Sequence, residues 1–197
     1  GMERDYDYDT RIYGADLRSG EDIGARAAER ALSRLNPKKP RSGVFPVLFD
    51  ERVASSLIGH LINAVNGASV ARGSSWLRDD LHKQVLPASL SLHEDPRRPR
   101  VSASRPFDGE GLPKRARDII KDGILQGWTL DLSSARKLGM NSTGNAARFA
   151  SSIPSPQVSN VTLIGGKKTR EELLSDMGTG LLVTSMIGST VNPNTGD

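Results

Sequence analysis

Apolar positions recur at helical spacing most clearly between Val53 and Val65. Val53, Leu57, Leu61 and Ala64 fall three or four residues apart, and Ala54, Ile58, Ile62 and Val65 run beside them. A stripe this wide predicts a helix packed inside a domain. Asp50 stands where an N-cap residue belongs, and Gly67 where a C′ glycine belongs. His60 lies among the apolar positions, one turn from Leu57 and Ala64. A second stripe, Ile23, Ala27, Ala28, Ala31, Leu32 and Leu35, follows Ser19-Gly20-Glu21-Asp22. That start resembles a capping box with Asp22 in place of the usual Glu. Asn36-Pro37 ends this helix, because a residue before proline avoids the helical region. Residues 1–18 are polar and irregular and read as a linker or an edge segment.

Strand patterns are shorter. Val44 to Phe49 is apolar with Pro46 inside, so its strand lies at an edge or begins after the proline. A short helix is predicted over Trp76 to Gln84. Ser89-Leu90-Ser91-Leu92 alternates as a half-buried strand does. His93 to Asp108 reads as a proline- and arginine-rich loop. Arg117 to Leu130 is the best hairpin signal, with Asp122-Gly123 supplying the positive φ angles of a type I′ turn. Ser133 to Leu138 is a short helix closed by Gly139, and Asn141 to Pro156 a long loop. Val158 to Ile164 is a strand. Thr169-Arg170-Glu171-Glu172 is a capping box opening a helix to about Met177, with Gly178 as its C′ residue. Leu181 to Ile187 is a last apolar strand. Helices and strands mix without regular βαβ alternation, which places the chain in the α+β class.

Composition narrows the setting. The chain has 197 residues, enough for one domain or one and a half. It has no cysteine, which removes disulfides, thiolate nucleophiles and cysteine-based zinc sites. No apolar run nears the roughly 20 residues of a membrane span. Met2-Glu3-Arg4-Asp5 and the residues after it are acidic and polar, unlike a secretory leader, so a cytoplasmic setting is expected. The net charge is +4. Basic residues cluster at Lys38-Lys39-Pro40-Arg41, Arg97-Arg98-Pro99-Arg100 and Lys114-Arg115-Ala116-Arg117. These clusters are not interleaved with aromatics, as a nucleic-acid surface would require, so they read as solvated loops.

Candidate chemistry is sparse. His60, His82 and His93-Glu94-Asp95 could contribute to a metal site, but zinc needs at least three protein ligands, and a satisfied, partly buried His60 is the plainer reading. Ser56 and His60 share a helix face, yet a nucleophile also needs an oxyanion hole and an orienting group. A helix serine usually bonds back to a carbonyl one turn earlier. Gly165-Gly166-Lys167-Lys168-Thr169 lacks the first glycine of a phosphate loop and reads as a strand-to-helix turn. Ser142, Thr143, Gly144 and Asn145 offer small side chains and amides that could receive an extended peptide, or form an ordinary turn.

Several stretches in order resemble the TldD/PmbA family, also called modulators of DNA gyrase. They are Arg4-Asp5-Tyr6-Asp7-Tyr8, the Phe49–Gly67 stretch, Arg72-Gly73-Ser74-Ser75-Trp76-Leu77, Phe107-Asp108-Gly109-Glu110-Gly111, Lys121-Asp122-Gly123-Ile124-Leu125, Ser142-Thr143-Gly144-Asn145-Ala146 and Val191-Asn192-Pro193-Asn194-Thr195-Gly196-Asp197. The resemblance implies a mixed, mainly antiparallel sheet with packed helices. It also implies that 1–37 is a linker and helix from a preceding region. Residues 38–197 would then be the N-terminal part of the family's C-terminal domain, incomplete at its end. An incomplete sheet would leave an open edge and invite self-association.

TldD-like members carry His-Glu-x-x-x-His on the helix corresponding to the Val53–Val65 stripe, which with a later cysteine makes a zinc site for peptide hydrolysis. Laid on this chain, the motif puts Ser55 and Ser56 at the first histidine and the glutamate, and keeps only His60. The chain therefore resembles the PmbA branch, also called TldE. That likeness implies a non-catalytic subunit in a peptide-processing protease, with no cofactor in this chain and zinc in a TldD-like catalytic partner. Two alternatives stay open: a self-sufficient metallopeptidase with an unrecognised site, and a basic DNA- or gyrase-associated modulator.

Overall fold

The computed structural model describes residues 2–188 and 190–197. The chain forms two compact units. One runs to Val44 and includes Pro99–Ser102; the other holds Phe45–Arg98 and Ala103–Asp197. Among the described residues, no helix is long and apolar enough to cross a membrane.

The N-terminal unit contains a 3-10 turn, Gly14–Asp16, and helix α1, Gly20–Leu32. Ser19 caps α1 by accepting from the Asp22 amide. Residues 1–18, read from sequence as a linker or edge segment, include an ordered strap. In an extended chain, alternate side chains face opposite ways. Asp5, Asp7 and Asp9 face Arg34, Arg30 and Arg11 at 3.0, 2.7 and 3.0 Å, and Arg18 lies 2.8 Å from Asp7. Tyr6 and Tyr8 point the other way and stack, centroids 6.3 Å apart. Arg100 forks onto Asp16 and lies over the Tyr13 ring. No apolar side chain of residues 2–44 is buried; charge holds this unit together.

The sheet unit begins with β1, Val47–Phe49, which starts just after Pro46 and, among the described residues, pairs with the last strand. Next come α2, Glu51–Ala64, and α3, Gly67–Ala71. Strands β2, Ser91–Glu94, β3, Arg117–Lys121, and β4, Ile124–Leu125, precede α4, Leu132–Leu138. Then follow β5, Ala146–Ala147, β6, Ser155–Pro156, β7, Val161–Ile164, α5, Arg170–Met177, and β8, Leu181–Val183. The main sheet has order β4-β3-β2-β7 and every pairing in it is antiparallel. β5 pairs with β6, also antiparallel, and β1 with β8, parallel. This is the α+β, mainly antiparallel class expected. The core gathers Leu61, Val65, Leu92, Ile119, Ile120, Leu125, Trp128 and Leu130. Val53, Leu61 and Ala64 are the α2 residues buried in this fold.

The structure departs from the sequence expectations at several places: the expected loop 141–156 contains β5 and β6, and the expected strand 181–187 ends at Val183. Gly67 is not a C′ cap but the first residue of α3, which Asn66 caps by accepting from the Ala68 amide. A β-carbon there would stand 2.7 Å from the Thr129 carbonyl oxygen, so packing rather than turn geometry requires the glycine. Trp76–Gln84 forms turns, not a helix. Its backbone is drawn to the hairpin instead: the His82 amide donates to the Leu125 carbonyl and the Leu125 amide to the Lys83 carbonyl, with His82 at positive φ. The strand expected at 89–92 lies two residues later and ends on buried Glu94. Lys114 and Arg117, read as solvated, point inward to that carboxylate.

Candidate functional site

Helix α2 carries the residues singled out from sequence. Its start is fixed by the Asp50 carboxylate on the Arg52 amide, 3.3 Å, and by the Asp50 amide on the Val183 carbonyl, 3.0 Å. Its end is fixed by Ser75, whose hydroxyl donates to the Ala64 carbonyl at 2.5 Å. Ser55 is exposed, while Ser56 and His60 are half-buried. Both hydroxyls donate back to their own helix: Ser55 Oγ to the Arg52 carbonyl at 3.0 Å, and Ser56 Oγ to the Val53 carbonyl at 2.7 Å. This is the back-bonding usual for a serine inside a helix.

The other histidines lie elsewhere in the sheet unit. His82 is exposed in a turn. His93 Nδ1 sits 2.6 Å from Asp118 Oδ1, across β2 and β3. Among the described residues, no three His, Asp or Glu side chains are placed to hold a metal ion. Two hydroxyls spent on carbonyls and one imidazole do not fit zinc, which takes nitrogen, sulfur or carboxylate donors, and no carboxylate stands at position 56 to serve as a base.

The loop 142–145 is built in deeply. Gly144 and Asn145 are buried, Ser142 and Thr143 half-buried. The Thr143 and Asn145 amides donate to the Leu130 carbonyl, and the Gly144 amide to Ser142 Oγ. These amides therefore serve the chain's own fold in this arrangement.

A buried polar knot behind the loop was not read from the sequence. Glu94 accepts from Arg117 Nε at 2.9 Å, and from Asn145 Nδ2 and the Ser159 amide at 2.7 Å each. Lys114 Nζ donates to the Gly144 carbonyl, 3.1 Å, and stands 4.0 Å from Glu94. Burial pulls the Lys114 pKa down, opposed by Glu94 and Asp108. Asp108 accepts from the Glu110 and Leu112 amides with one oxygen and from the Ala146 amide with the other. The motifs around Asp108 and Asn145 thus meet as one scaffold. The available signal was chemical, an acid at Glu94 and a base at Arg117, but Glu94 was read as the start of a loop and only Arg117 as part of a strand.

Residues 42–197 match the PmbA/TldA metallopeptidase C-terminal domain. The chain belongs to this family. It is 45% identical to Metalloprotease PmbA of Escherichia coli O157:H7 over its whole length, and spans 42% of that relative. Two Haemophilus influenzae proteins bracket it: the PmbA homolog is 41% identical over the whole chain, the TldD homolog 26% over 86%. A crystal structure of a candidate modulator of DNA gyrase from Bacteroides thetaiotaomicron superposes with a TM-score of 0.84 at 29% identity, covering 95% of this chain and 40% of that one. TldE from Thermococcus kodakarensis shares the fold, with a TM-score of 0.79. The chain therefore covers about two fifths of these PmbA/TldD relatives.

Proposed function

We propose that this chain is part of a PmbA/TldE-type subunit that binds no catalytic zinc and works with a TldD-like subunit in peptide processing. One observation carries the proposal. The family resemblance puts Ser55 and Ser56 at the positions of the zinc-ligating histidine and the catalytic glutamate, and on α2 both hydroxyls are turned back onto the helix. The greater likeness to proteins named PmbA than to those named TldD supports the same branch. In this reading zinc, held by the partner, would polarise the peptide carbonyl and supply an activated water. The residues of this chain give shape. Asp50 and Ser75 hold α2 at its two ends, and the Glu94 knot holds the 142–145 loop, which would border the peptide path.

The test uses the full-length protein and a partner that carries His-Glu-x-x-x-His. Peptide hydrolysis is expected from the mixture and not from either subunit alone, with zinc following the partner in metal analysis. Hydrolysis by the full-length protein alone, as fast as by the mixture, would favour a self-sufficient peptidase and end this proposal.

A further inference from the structure

Residues 105–115 form a narrow two-faced ribbon in the sheet unit. Phe107 and Pro113 oppose each other across an antiparallel bridge. The Lys114 amide donates to the Pro106 carbonyl and the Asp108 amide to the Leu112 carbonyl. Alternation then sets the faces. Asp108 and Lys114 point inward and are buried, while Arg105, Phe107, Pro113 and Arg115 point outward and are exposed. The register that pairs Phe107 with Pro113 puts Arg105 opposite Arg115. Neither guanidinium has a partner in the described chain, and like charges placed directly opposite repel. At the ribbon tip, the Gly109 amide donates to the Ala146 carbonyl, which brings Arg148 alongside, with Phe149 next in the chain. Arg148 is also without a partner among the described residues. Phe107 and Phe149 are 60% and 64% exposed.

We propose that this outward face, Arg105, Phe107, Pro113 and Arg115 with Arg148 and Phe149 beside the tip, docks an acidic polypeptide segment that carries an apolar side chain. Charge complementarity selects the partner. Two opposed arginines and a third near the tip form a compact cationic site with exposed aromatic rings between, the residue types enriched at protein interfaces. A nucleic acid would need a track of cations, and the neighbouring arginines do not extend one: Arg97 donates to the Lys114 carbonyl and Arg98 to Thr162. The buried Glu94 and Asp108 bonds hold the ribbon rigid, so little ordering cost falls on docking. The surface is separate from α2 and stands whether or not the protein works with a catalytic partner.

The experiment is fluorescence anisotropy on the full-length protein with a labelled Glu-Glu-Phe-Glu-Glu-Phe peptide. Its Lys-Lys-Phe-Lys-Lys-Phe counterpart and an oligo-dT strand serve as comparisons. The acidic peptide is expected to bind, to weaken with salt, and to lose about tenfold or more in affinity in the Arg105→Glu/Arg115→Glu variant. Phe107→Ala should weaken it at unchanged salt dependence. All changed residues are exposed, and an unchanged thermal midpoint verifies that each variant is folded. Failure of the acidic peptide to bind overturns the proposal. So does binding indifferent to the double charge reversal, or oligo-dT binding through these arginines in preference to the peptide.

Discussion

Glu94 gathers three hydrogen bonds inside the sheet unit, from Arg117, Asn145 and the Ser159 amide. Its side chain is 1% exposed and faces two cations, Arg117 and Lys114. Removing one member of a buried pair leaves the other charge uncompensated, at a cost of about 3–5 kcal/mol. Glu94→Ala is therefore expected to lower the urea midpoint strongly. Adding Arg117→Met should recover part of the loss, because it removes one of the stranded charges. Equal destabilisation in the single and double variants would show that the knot is not held by that pair. Gly67 makes a second case. Its α-carbon faces the Thr129 carbonyl and the Leu130 side chain too closely for a methyl group. Gly67→Ala is expected to cost about 1–3 kcal/mol through overpacking, measured by chemical denaturation. An Ala at Gly59 or Gly24, where open space surrounds the α-carbon, should be harmless or stabilising.

Elements fixed by their own ends were legible before the fold was seen. Helix α4 was legible at its Gly139 end, while its Asp131 cap was not read. Asp131 accepts from the Ser134 amide and hydroxyl, the Asp131 amide is bonded in return, and Gly139 closes the helix at φ 65°. Asp131→Ala removes the cap from a buried position and is expected to cost about 1–2 kcal/mol in thermal or chemical melts; a neutral result would mean that packing alone holds α4. The same locality made α5 and the Asp122-Gly123 hairpin readable, and both central turn residues do have positive φ. Ser55, Ser56 and His60 were singled out in a different way, by the family resemblance, which laid its motif on a single helix. The knot was not readable in this way. Glu94 meets Arg117, Asn145 and Ser159 across 23, 51 and 65 residues, and no local pattern reports such a meeting. Trp76–Gln84 failed for the same reason: a hairpin far along the chain takes its backbone bonds, against a plausible local helix.

At the scale of the whole molecule, the two units rest on different forces, and their aromatic residues report on them separately. The three tyrosines, Tyr6, Tyr8 and Tyr13, all lie in the N-terminal unit, and the two tryptophans, Trp76 and Trp128, in the sheet unit. The sheet unit buries a continuous apolar core. The N-terminal unit buries no apolar side chain in residues 2–44 and relies on the Asp5, Asp7 and Asp9 ion pairs. A 13-residue helix without tertiary support is marginal in water. Asp7 is held down to about 2 from 3.8, first by its hydrogen bond to Arg18 and then by Arg30, against desolvation. A depressed carboxyl pKa stabilises the fold above the unfolded value, and that contribution is lost as pH falls from about 4 towards 2. Salt acts in the same direction, because the screening length shrinks to about 3 Å at 1 M. Tyrosine ring NMR signals are therefore expected to move to unfolded positions in acid or high salt before the tryptophan indole signals respond. Arg30→Gln should bring the tyrosine change to lower salt and higher pH and leave the indoles where they are. If tyrosine and tryptophan signals moved together in every condition, the N-terminal unit would owe its stability to something other than this charge ladder.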